Sequence, residues 1–156
     1  MRIPLAALLA LSLASAALAA DVKFKRVWPQ WYDADSFQSF YEDHTGKELT
    51  GKWIVVRSQP GDRAGIYFLT RVENPDGAIR GATFTLRVIA PDSTDTVTFN
   101  FPQDIPAGSH LFQIGLTGKD WNKPRIQPVA WQLELRSADG RVLAQAKSFL
   151  WDKGGK

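Results

Sequence analysis

His44 and His110 are the only imidazoles in 156 residues, and the chain contains no cysteine. A hydrolase triad needs a nucleophile, an imidazole base and an orienting acid. His44 completes an apolar face with Phe37, Phe40 and Tyr41 at helical spacing, and its cationic form would suit a helix C-terminus. His110 follows Gly108-Ser109 at the start of a strand pattern, with no nucleophile-elbow sequence around it, and reads as a loop-surface residue. The carboxylates Asp33, Asp35, Glu42, Asp43 and Glu48 gather in sequence and could in principle share acid and base roles in glycoside chemistry. Yet Asp35 fits a helix cap, and Glu42 and Asp43 fall opposite Phe37 and Tyr41, on the solvent side. Asp92, Ser93, Thr94 and Asp95 offer oxygens at a hairpin tip, but calcium takes about six to eight and the spacing is that of an ordinary polar turn. Without cysteine there is no thiol nucleophile, thiolate metal site or disulfide. Gly61, Gly65, Gly77 and Gly81 do not have the spacing of a phosphate loop. The expectation is a protein that is not an enzyme and uses no cofactor or metal.

Aromatic side chains are the enriched class, with 6 tryptophans. Trp131 lies on the apolar register of Val129, Leu133 and Leu135 and is expected in the core, together with one of Trp53 or Trp151. Trp28, Trp31 and Tyr32 crowd around Pro29, and Trp121 sits in the polar loop from Gly118 to Pro124. Each can be cover for a junction or sandwich edge, or a platform for a ligand. These four residues form the candidate binding surface, with the lid reading preferred for Trp121.

The elements that would position them follow a leader. Arg2, an apolar run from Ile3 to Leu13 and an Ala-Leu-Ala end at residues 17 to 19 have the form of a signal peptide over 1–20. The run is too short for a bilayer core of about 30 Å, so no permanent membrane anchor is expected. Removing 20 of 156 residues leaves 136, one domain in size. The balance of 19 Lys and Arg against 16 Asp and Glu, one of the basic residues being Arg2, is no nucleic-acid stripe.

Asp21 to Trp28 reads as a strand ended by Pro29, and Asp35 to His44 as one short helix ended by Gly46. Together they make residues 21–52 an N-terminal strand and helix packed on the remainder, 53–156. There, strands alternate with turns: Trp53 to Gln59, Gly65 to Glu73, Thr83 to Ile89, then those carrying Val97-Phe99-Phe101 and Phe112-Ile114-Leu116. The strand of Val129 to Arg136 turns at Ser137 to Gly140 into Arg141 to Trp151. In it Glu134 falls on the solvent register. The reading is an all-β antiparallel sandwich of seven to eight strands with one short helix.

The strand pattern over Trp53 to Trp151 resembles immunoglobulin-like and fibronectin type III-like domains. The segment from Pro106-Ala107-Gly108 through Leu116-Thr117-Gly118, with Trp121, Trp131 and Ser148-Phe149-Leu150-Trp151, is similar to small exported bacterial proteins of uncharacterised function. That resemblance implies a fold and an address, and no activity. The expected role is an exported, periplasmic or extracellular binding module whose partner is another envelope or extracellular protein, contacted through a sheet face, a strand edge or the helix. The alternative is a carbohydrate-binding module stacking sugar on Trp28, Trp31, Tyr32 or Trp121. A hydrolase comes third.

Overall fold

The structure is a computed structural model that describes residues 21–37 and 53–154. The leader and most of the expected helix, with Phe40, Tyr41, His44 and the acids Glu42, Asp43 and Glu48, lie outside the described residues. Among the described residues are eight strands: β1 (Lys23–Tyr32), β2 (Trp53–Arg57), β3 (Gly65–Asn74), β4 (Thr83–Ile89), β5 (Thr96–Pro102), β6 (Gly108–Thr117), β7 (Ala130–Arg136) and β8 (Val142–Lys147). They form two four-stranded sheets, ordered β1-β3-β6-β2 and β5-β4-β7-β8. All pairs are antiparallel except β2 with β6, which run parallel. The molecule is an all-β sandwich. None of the described helices is long and apolar enough to cross a membrane.

Period-two alternation builds the core from the facing sides of the two sheets. Ile66, Phe68, Phe112, Ile114 and Leu116 meet Phe84, Leu86, Leu133 and Leu135, all fully buried. Phe68 stands edge-on to Trp131 at 5.5 Å and Phe84 lies 5.2 Å from Phe112. Trp131 is in the core, as its register requires, but Trp53 and Trp151 are both half-buried, and Val129 precedes its strand with an exposed side chain.

β1 differs from its sequence reading in two ways. It continues through Pro29 to Tyr32, because as an edge strand it can carry a proline without losing a ladder bond to β3. Its phase also changes. Arg26 takes the left-handed conformation (φ 46°) and the register against β3 shifts between Lys25 and Trp28, so Val22 and Phe24 face the core before the bulge and Val27 and Trp31 after it. At the other end, β8 stops at Lys147. The Ser148 N–H donates to the Trp131 carbonyl while the Ser148 Oγ accepts the Trp131 amide, and Trp151 opens a single helical turn, α1 (Trp151–Gly154), rather than ending a strand.

Glu134 leaves the expected solvent register in substance though not in direction. It points to the outer face of its sheet, but Arg136 returns to it with Nε at 2.8 Å and Nη2 at 2.6 Å, and Arg87 reaches across from β4 at 3.3 Å. Only 5% of it remains exposed.

Candidate functional site

The two sides of the sandwich close differently. Along one side β1 and β8 pack against each other. Along the other, β2 and β5 stand apart and leave a groove of about 480 Å³ whose lining is apolar at Val55, Val56, Phe99 and Phe101 and polar or charged at Arg57, Ser58, Asn100 and Asp120. A smaller extension of about 130 Å³ continues past Phe99 to Val97 and Lys123. β5 forms one wall along its length.

Burial along β5 falls step by step, from Phe101 (5% exposed) through half-buried Phe99 to Val97 (48% exposed). All three point to the inner side. Among the described residues no strand lies beyond β5. The Gln103 amide bonds the Ala82 carbonyl at 2.9 Å, and bonded pairs alternate in an antiparallel ladder, so Val97, Phe99 and Phe101 bond β4 while Thr96, Thr98 and Asn100 turn their N–H and C=O groups outward. Thr96, Thr98, Asn100 and Pro102 are exposed. From Thr96 to Pro102 there is no charged residue. Edge strands are ordinarily blunted by lysine, proline or a bulge, and β5 has only the terminal Pro102.

Of the sequence-selected aromatics Trp121 lines the smaller extension, and the four do not form one surface. Trp121 is buried, 4% exposed, as part of the core. Gly118 (φ 56°) opens the single turn Gly118–Asp120, which folds the ring inward, where its Nε1 donates to the Ile126 carbonyl at 3.1 Å. This burial fits the lid reading preferred for Trp121 over that of an exposed platform. Trp31 packs against the core, its Nε1 donating to Asp33 at 2.9 Å. Trp28 and Tyr32 share the outer face of β1 with Gln30 between them, about 13 Å apart along the strand. Tyr32 meets Phe37 at a tilt and Tyr67 edge-on, at 5.6 and 5.7 Å, and burial there raises its phenol pKa. Gly115 leaves room for the Tyr67 ring to lie on this face. Trp28 is half-buried beneath Arg26, whose guanidinium lies 4.9 Å above the ring.

The groups considered for chemistry are also dispersed. His110 lies on β6 rather than in a loop, half-buried, with Nε2 2.9 Å from the Ala107 carbonyl, while the Ser109 hydroxyl accepts from Arg71 at 3.1 Å. Asp92 is paired with Lys123 at 3.0 Å, whose hydrogen bond holds its carboxyl below the usual range. Among the described residues, no three His, Asp or Glu side chains gather where they could hold a metal ion.

Aromatic enrichment drew attention to rings, whereas the open edge is made of Thr, Val, Asn and Phe. The signal that could have found it was the charge-free, strongly β-forming run Thr-Val-Thr-Phe-Asn-Phe over 96–101, unprotected from within. No family model matches the chain, and no curated protein matches it significantly.

Proposed function

We propose that the protein is an exported, non-catalytic binding module, and that it receives an extended segment of another envelope or extracellular protein along β5. The observation that carries this reading is the pairing of two features on one strand: backbone groups at Thr96, Thr98 and Asn100 that face away from β4 with no further strand beside them among the described residues, and a groove of mixed apolar and polar lining on the side toward which Val97 and Phe99 point. An added strand would gain affinity from main-chain bonds to the edge, and selectivity from every second side chain entering the groove. Charges of both signs line it: Arg57 and Asp120, the latter held by the Gln59 amide at 2.8 Å, in the main groove, and Asp95, Lys119 and Lys123 along the extension. The sugar-stacking alternative is less well supported, since it requires open, coplanar rings and the four candidate aromatics are buried or half-buried on different faces.

Thr98 provides the test. Its side chain is exposed and its amide faces outward, so Thr98→Lys adds a charge to the edge with the β4 ladder intact. Envelope protein from the host should be retained by immobilised wild type and lost from Thr98→Lys. Equal retention by both would remove β5 from the binding surface. Export rests on the basic start and alanine-rich end of residues 1–20, and mass spectrometry of the exported protein should then find Ala20 or Asp21 at its N-terminus. An intact Met1 on that protein would refute the export reading.

A further inference from the structure

The geometry of β5 points to a specific occupant for this edge: we propose that two copies of the chain pair through it, antiparallel, with the two-fold axis at Phe99. This deepens the reading of β5 as a strand-accepting edge and rests on it.

The register follows from which groups are open. Thr96, Thr98 and Asn100 turn both backbone groups outward, and Pro102 turns out a carbonyl with no N–H beside it. With the axis at Phe99, Thr98 faces Asn100 of the second copy and the pair exchanges both bonds, twice by symmetry. Thr96 faces Pro102, and its N–H meets the one group that Pro102 can offer. The missing proline donor thus falls at the two ends of the ladder and costs nothing in its middle.

The side chains agree with the same register. On the groove side Phe99 meets its own copy and Val97 meets Phe101, so each pair is apolar, and aromatic pairs at such positions are among the favourable cross-strand contacts. The outer face pairs Thr98 with Asn100. Asp95 falls opposite Gln103 and Asp104 opposite Thr94, so no two like charges oppose one another. Moving the axis to Thr98 would set Asp95 against Phe101. Moving it to Asn100 would set Pro102 against Thr98, wasting an interior donor position. A C2 pair requires one self-complementary patch, and β5 is such a patch. It would also cover Val97, which is 48% exposed. Because the contact is one strand edge long, the dimer should be weak, in the micromolar range or weaker, and a partner segment would have to displace it.

Sedimentation velocity of the purified protein over a hundredfold range of concentration should show a monomer passing to a dimer and no further, and Thr98→Lys should stay monomeric throughout. The absence of cysteine allows the register to be read by single thiols. In the proposed pair the Phe99 Cα atoms are about 4.5 Å apart, within disulfide reach. Oxidised Phe99→Cys should therefore give covalent dimer at least tenfold faster than Val97→Cys, whose copies lie four residues out of step. Should Phe99→Cys disturb folding, a mixture of Thr98→Cys and Asn100→Cys, both at exposed positions, should cross-link to each other at least tenfold faster than either does to itself. A wild type monomeric at every concentration, assembly beyond the dimer, or equal cross-linking at all positions would overturn the proposal. A monomer whose envelope partner is still lost on Thr98→Lys would refute self-pairing alone. A partner indifferent to Thr98→Lys would refute the edge reading beneath it.

Discussion

β1 and β5 are both outer strands of this sandwich, yet they are finished in opposite ways. β1 carries Lys23, Lys25 and Arg26, bends at the Arg26 bulge, includes Pro29 and packs against β8. Each of these features blocks the approach of another strand. β5 is uncharged and continuous in register with β4 from Thr96 to Pro102, and it faces a groove. The same fold thus contains both a protected edge and an open one. The contrast shows that the openness of β5 is not imposed by the architecture, since the chain protects an edge where pairing is excluded.

The sharpest way to break this comparison is a pair of proline substitutions on β5. Val97→Pro removes an N–H that bonds β4 and should cost about 3 kcal/mol in urea denaturation. Thr98→Pro removes an outward N–H and should cost under about 1 kcal/mol while abolishing pairing at the edge. Equal costs would mean that the inside and outside of the strand have been misassigned. The next effect concerns the sheet that supports the edge. Glu134→Ala would leave Arg87 and Arg136 facing one another without their shared carboxylate, and should destabilise by about 1–2 kcal/mol, below the range for fully buried pairs because both arginines are partly solvated. A loss of a few tenths would return Glu134 to the solvent register.

On the protected edge, Arg26→Gly relieves a side chain held at φ 46° and should stabilise the protein by about 0.5–1 kcal/mol while leaving β1 unable to accept a strand. New association through β1 in that variant would show that its cationic side chain, rather than the bulge, closes the edge. The smallest effect is one of pH. Asp92 ties the turn before β5 to Lys123, and its carboxyl pKa is lowered by that hydrogen bond. A lowered folded-state pKa adds stability above the unfolded value, and this is lost as the pH falls through the folded one. Acidification below the ordinary carboxylate range should therefore lower the melting temperature slightly more in wild type than in Asp92→Asn.

Much of the fold was legible because strands wet on one face write their period into the sequence. Phe84, Leu86 and Val88, and Trp131, Leu133 and Leu135, fall where alternation puts them. The phase change in β1 was not legible, because the residue in the left-handed conformation is an arginine, and no glycine or asparagine marks it. Glu134 was misread since its cover comes from arginines two residues on and across the sheet, a relation that composition along one strand does not show. Trp121 could be placed only once the turn at Gly118 was known. The open edge was hidden for a different reason: in sequence a strand shows which residues alternate, but not which strand of a sheet stands outermost.

Amide hydrogen exchange along β5, measured by NMR at a concentration low enough to keep the protein monomeric, tests the central claim most directly. The account predicts alternation: Val97, Phe99 and Phe101 protected by β4, and Thr98 and Asn100 exchanging at least a hundredfold faster, with protection appearing at Thr98 and Asn100 once a strand is added. Uniform protection along 97–101 in the dilute monomer would contradict it.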